Sequence, residues 1–173
     1  MQRTERPTSR YRNRAVALIA CSFPLGSDAG AQTPAVTTYV FDYPYDTPEL
    51  IEDHLIVLER TATEVRGWFY GTSDEFDAAR EAYLPGFFVA PMADLAVSED
   101  AISFVLHRPD RFFASPVPLQ YRRAEDVPPG LLDRWNVQVP TASSRYTGTL
   151  HDEEIVLQVP GGPRVFRRAE TER

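Results

Sequence analysis

The chain has no lysine: all 18 of its basic residues are arginine. That absence excludes Schiff-base chemistry, a lysine general base and a phosphate-binding P-loop, each of which needs a primary amine on a flexible stem. Cysteine is reduced to Cys21, so no disulfide can form within the chain and no thiolate cluster can hold a metal. No stretch offers the ~18 consecutive apolar residues of a membrane-spanning helix. Surplus positive charge is also missing. The net charge is −7 at pH 7, whereas a phosphate backbone needs a basic face, so nucleic acid is not the expected partner. No internal repeat or low-complexity tract is visible.

The beginning of the chain stands apart. Arg3, Arg6, Arg10, Arg12 and Arg14 precede the apolar run Ala15 to Gly26, and Ala29-Gly30-Ala31 closes it. A helix of that length is too short to cross ~30 Å of hydrocarbon, so the layout predicts an export signal over residues 1–31, cleaved before Gln32. The mature chain would then be periplasmic or secreted. Leu18-Ile19-Ala20-Cys21 also resembles the lipobox of bacterial lipoproteins, and acylation of Cys21 is the alternative, with the domain lipid-anchored in the envelope. That route leaves only Ala15 to Ala20 as a hydrophobic core, shorter than such cores usually are. A chain starting at Gln32 would carry 13 basic and 23 acidic residues, a net charge of −10, and no thiol.

Residues 32–173 suffice for one domain with a single core. Short β-branched and aromatic runs alternate with polar turn residues, which predicts strands at Thr37 to Tyr43, Leu55 to Glu59 and Val65 to Gly71. Phe87 to Ala90 and Leu95 to Val97 read as two strands or as one bent at Pro91. Ala101 to His107 alternates Ile102, Phe104 and Leu106 inward, and Arg145 to Leu150, Glu154 to Val159 and Arg164 to Arg168 close the chain as a meander. Leu55 to Glu59 and Val65 to Gly71 read as the arms of one hairpin, and in its second arm Trp68 and Tyr70 share one face, Gly67, Phe69 and Gly71 the other. Thr72 and Glu75 have capping-box spacing, which predicts a short helix over Ser73 to Tyr83, stopped by Pro85-Gly86. Pro128 to Trp135 reads as a further helical turn, within a proline-rich stretch from Pro109 to Ser144 that must be partly irregular.

Together these predict a mainly β fold, an antiparallel up-and-down barrel or strongly curved sheet of about seven to nine strands with a short inserted helix. The end of the chain, Tyr146-Thr147-Gly148-Thr149-Leu150, Ile155-Val156-Leu157, Gly161-Gly162 and Val165-Phe166-Arg167-Arg168, resembles the final strands of lipocalin-like small β-barrels of exported bacterial proteins. The resemblance implies an interior able to hold a small apolar ligand, and it carries no catalytic residue across.

Trp68, Tyr70, Phe104 and Tyr146, with Trp135, are the candidate walls of such a cavity, set against a core simply filled by its own side chains. His54, His107 and His151 have no ligand spacing and read as solvated surface residues, so no metal is expected. Asp42, Asp46, Glu49, Glu52 and Asp53 offer oxygens for calcium but lack a preformed loop spacing, and a solvated acidic face is preferred. Gly71-Thr72-Ser73-Asp74 has no glycine at the positions a nucleophile elbow needs. Asp74, Glu75 and Asp77 supply carboxylates without singling out a pair. No catalytic residue and no cofactor is expected. Arg167 and Arg168 point to opposite faces of the last strand, one of them toward the interior or rim. The expected function is an exported binding module holding a small apolar ligand or lipid. An envelope structural or protein-interaction module with a filled core is a second reading, and a hydrolase with fold-assembled carboxylates a third.

Overall fold

The computed structural model describes residues 33–42 and 54–170, all within the unit Gln32–Arg173. The runs rich in β-branched and aromatic residues form its strands, as their fit to a pleated, half-buried surface requires. In chain order these are β1 (Ala35–Phe41), β2 (Leu55–Arg60), β3 (Val65–Asp77), β4 (Ala82–Pro91), β5 (Ala93–Val97), β6 (Ala101–His107), β7 (Ser143–Leu150), β8 (Glu154–Val159) and β9 (Gly162–Arg168). They form one antiparallel sheet of nine strands in the order β4-β3-β2-β1-β9-β8-β7-β6-β5, a nearly closed barrel. Among the described residues the only helical piece is the 3-10 turn Ala124–Asp126, and no helix is long and apolar enough to cross a membrane.

An odd number of strands cannot close into a ring with every neighbour antiparallel. The two end strands of the sheet, β4 and β5, are consecutive in the chain and separated by Met92 alone. They behave as one strand bent at Pro91-Met92, its first half paired with β3 and its second with β6. Counted so, the barrel has eight staves, an even number. The Met92 N–H donates to the Gly67 carbonyl at 2.9 Å, which carries the pairing with β3 past the bend. Asp94, at φ +49°, lies in a register shift between Ala93 and Ala96, the bulge that turns the strand toward β6.

The helix expected over Ser73 to Tyr83 does not form. β3 and β4 continue their ladder from Trp68↔Pro91 out to Asp77↔Ala82, and the chain reverses at Ala78 to Glu81. The reversal is held by Asp77, whose Oδ1 accepts from the Ala79 and Arg80 N–H groups at 2.7 and 3.1 Å, an Asx turn. The helical reading failed because the pattern along this arm is inverted. Glu75 and Asp77 are buried, while Phe76 and Tyr83 are exposed cross-strand partners. Pro128 to Trp135 is likewise not helical. It contains a turn closed by the Leu131 N–H on the Pro128 carbonyl, with Gly130 at φ +84°.

Two separate clusters hold the fold. Inside the barrel, Ile56, Leu58, Phe69, Ile102, Phe104, Leu106, Ile155, Leu157 and Phe166 pack together, most of them fully buried. On the outer face of β2, β3 and β4, Val57, Trp68, Tyr70 and Val89 are covered by Phe113, Val117, Ala124 and Val127 from the excursion between β6 and β7. That excursion also protects the open edge of β4, because Phe113 and Phe87 exchange both backbone hydrogen bonds at 2.9 Å.

Candidate functional site

Five strands, β3, β4, β6, β7 and β9, and the residue before β2 converge on one end of the barrel, and strand parity decides much of what they present there. Counting back from the buried Phe166, Arg164 shares its face of β9. On β6 the inward set ends at Leu106, just before His107 and Arg108 leave the barrel. β7 begins there with Ser144 and Tyr146, β2 is entered through His54, and β3 passes through with Phe69, Thr72, Ser73 and Glu75. Between them lies a recess of about 250 Å³, with Phe69, Phe88, Leu106, Phe112 and Tyr146 as apolar walls and His54, Thr72, Ser73, Glu75, Arg108 and Arg164 as polar lining.

The polar lining is ordered by its own hydrogen bonds. Arg164 Nη1 lies 2.9 Å from His54 Nδ1, and His54 Nε2 lies 3.2 Å from Thr72 Oγ1. A guanidinium can only donate, so Nδ1 accepts and the ring proton sits on Nε2, which donates to Thr72. Burial and the neighbouring Arg164 charge lower the His54 pKa to about 4, against a smaller raising effect of the Thr72 backbone, so the ring is neutral at pH 7. Its faces are taken by Phe41, stacked at 5.8 Å, and Phe69, edge-on at 5.6 Å. Glu75 accepts from Ser73 Oγ at 2.7 Å and from Arg108 Nη2, which compensates the burial of its carboxylate. Within the described residues no buried side-chain nitrogen or oxygen lacks a partner.

These bonds limit the chemistry. With the proton on Nε2, His54 cannot take one from Thr72, and its Nδ1 faces a cation where a nucleophile-activating histidine needs an acceptor. Among the described residues Glu75 is the one carboxylate that lines the recess, so they supply no opposed pair of the kind glycoside cleavage uses. The arrangement is suited to holding a molecule that presents an apolar body to the aromatic wall and a hydrogen-bonding end to the polar lining.

Of the four residues expected to line one cavity, only Tyr146 borders the recess. Phe104 lies deeper, fully buried and stacked on Tyr146 at 5.2 Å. Trp68 and Tyr70 belong to the outer cluster and line no part of the barrel interior. The inner face of β3 beside Trp68 is packed by Met92, Leu95 and Leu58 over Gly67, where an added Cβ would lie 2.5 Å from Met92 Sδ, and Phe69 is the ring that this face turns inward. Trp135 is outside as well, its Nε1 donating to the Pro85 carbonyl at 2.9 Å beneath the Arg80 guanidinium.

His54 is 6% exposed, so the surface reading fails for it, whereas His107 and His151 are exposed. Among the described residues no three His, Cys, Asp or Glu side chains converge as metal ligands. Asp42 accepts from Arg167 Nε at 2.7 Å, and Asp46, Glu49, Glu52, Asp53 and Cys21 lie outside the described residues. Arg167 and Arg168 are both exposed and both face acidic partners, Asp42 and Glu153. Arg168 shares the inward parity of Phe166 and sits at the opposite rim, lining a recess there with Tyr39 and Leu150, while Arg164, by the same parity, is the β9 arginine of the recess that holds His54. Comparison with protein-family models, with curated proteins and with solved structures finds no match.

Proposed function

We propose that the protein is an exported binding module that takes a small ligand in the recess at one end of its barrel. The observation that carries this reading is the recess itself: about 250 Å³ with an aromatic and aliphatic wall on one side and a hydrogen-bonded polar lining on the other. The filled interior below it, with Phe104 and Phe166 fully buried, argues for a ligand at the mouth rather than one threaded down the axis. Export rests on the arginine-rich, apolar leader over residues 1–31 and implies a periplasmic or secreted protein, with lipid anchoring through Cys21 as the alternative.

A fragment screen read by backbone amide shifts tests it. Hits are expected to cluster at His54, Thr72 to Glu75, Leu106 to Pro109, Ala142 to Tyr146 and Arg164. Ser144→Trp, which fills the recess from its rim, should abolish them while leaving the spectrum of a folded barrel. Hits that cluster elsewhere, or that persist in Ser144→Trp, contradict the reading.

One observation favours a second reading, a protein-interaction module. Tyr83 is 75% exposed and Phe76 42%, and the two rings form an edge-on pair at 5.4 Å on the long β3–β4 hairpin. Exposed aromatics of this kind are enriched where proteins meet. A change in oligomer or partner binding on Phe76→Ser/Tyr83→Ser, with fragment binding intact, would support it.

A further inference from the structure

We infer that the mouth recess binds a small monocarboxylic acid, its carboxylate held by the Arg164 guanidinium and its apolar body lying against Phe69, Phe88, Leu106, Phe112 and Tyr146. The inference rests on the mouth being the binding site and names what it binds.

Arg164 is the reason. Arg66, Arg80, Arg108, Arg122, Arg167 and Arg168 each have a carboxylate within 4.0 Å, whereas Arg164, half-buried in the recess wall, has none among the described residues. Its contacts are a neutral imidazole nitrogen at 2.9 Å and the face of Phe41 at 5.5 Å. One of its five N–H donors is thereby used, and the planar fork is fixed from behind with donors left to offer. A partly desolvated cation held in place without a counter-ion among the described residues is an incomplete ion pair there, and a carboxylate completes it with bidentate geometry.

The rest of the lining sets the charge and size of the guest. Glu75 is neutralised by Arg108, and His54 stays uncharged at pH 7, so among the described residues the lining offers one unmatched positive charge. A monoanion matches that and a dianion exceeds it. In a chain of net charge −7 this local positive site also stands out against the surrounding field. A recess of about 250 Å³ is below the usual range for drug-sized ligands, which restricts the acid to the size of phenylacetate or hexanoate.

The test is calorimetric titration of the full chain with phenylacetate and hexanoate and with their neutral isosteres, phenylacetamide and hexanamide. Each acid is expected to bind at least about tenfold tighter than its amide, the size of one good charge-assisted contact. Arg164→Gln should bring the acid to the level of the amide, lowering the affinity of the acid by more than that of the amide. Arg145→Gln, at an exposed arginine nearby, should leave the preference intact. Should Arg164→Gln fail to fold, Arg164→Lys carries the same comparison: it keeps the charge and loses the fork, and the preference should fall. Equal binding of acid and amide overturns the carboxylate assignment while the mouth remains a binding site. An acid preference that survives both Arg164 variants overturns it too. If neither acids nor amides bind, the binding reading of the mouth falls and the assignment falls with it.

Discussion

The two faces of strands β2 to β4 are buried by different means. The inner face is covered by the far side of the barrel, ring against ring, with Phe69 meeting Phe166 at 6.2 Å and Tyr146 at 6.3 Å. The outer face is covered by the proline-rich excursion, which needs polar anchors because it has little regular structure of its own. Tyr70 Oη donates to the Tyr121 carbonyl at 2.6 Å, and Arg122 joins Glu59 at 2.8 Å, Tyr70 Oη at 3.1 Å and the Leu119 carbonyl while lying over the Trp68 ring. The difference teaches that this sheet has one core that defines the barrel and a second that fastens a cover to it. The recess lies where the barrel mouth meets the ends of the excursion, since it is lined both by barrel residues and by Pro109, Phe112 and Ala142.

If the inner core defines the fold, its loss should be the most damaging. Phe104→Ala, at a side chain with no exposure, is expected to cost about 3–5 kcal/mol and to lower the urea midpoint of the whole domain. Trp68→Ala should cost about 3 kcal/mol, at the lower end of that range because the ring is 9% exposed. It should also speed proteolysis within residues 108–142 before the barrel is cut, whereas Phe104→Ala should expose both regions together. Equal cleavage patterns in the two variants would merge the two cores into one.

The mouth adds a pH dependence that neither core shares. The folded pKa of His54, about 4, lies below its ordinary value of 6.5. Between those values the unfolded chain takes up a proton that the folded chain refuses, so stability is full above pH 6.5 and falls as pH drops toward 4, by at most about 3 kcal/mol. Urea melts at pH 7 and pH 4.5 should therefore diverge less in His54→Gln than in the parent chain, and parallel losses would contradict the buried neutral ring. The smallest effect concerns the cover alone. Tyr70→Phe leaves the Tyr121 carbonyl without its donor and should cost about 1 kcal/mol, with hydrogen exchange rising around Leu119 to Arg122 and unchanged in β6 to β9.

Much of the architecture was legible in the residues. β6 and β8 lie where the alternation of Ile102, Phe104 and Leu106 and the β-branched run Glu154 to Val159 place them, because each follows a polar turn. Both alternatives at Pro91 describe the same object, two pairing segments and one bent strand. The arm from Ser73 to Asp77 was misread because apolar periodicity is a proxy for burial, and here carboxylates are buried through Arg108, Ser73 and the backbone of the turn. For Asp77, burial alone would raise the carboxyl pKa, yet the N–H groups of Ala79 and Arg80 and the Arg80 guanidinium outweigh it and hold the group below its ordinary range.

The partition of β3 into Trp68/Tyr70 and Phe69 faces was also legible, but not which face was inside. Both faces are apolar, and the decision is made by Met92 and by the excursion, which are distant in sequence. The recess was missed for a related reason. Its polar members come from β2, β3, β9 and the start of the excursion, and only the fold brings His54 to Arg164, 110 residues away.

The central claim, two cores on opposite faces of one sheet, is tested most directly by methyl-to-aromatic proton contacts in the labelled protein in solution. The account predicts contacts from Val117 and Val127 methyls to the Trp68 indole, from Leu157 and Ile155 to the ring network of Phe104 and Phe166, and none between the two sets. Contacts from Ile102 or Leu106 methyls to Trp68 would contradict it.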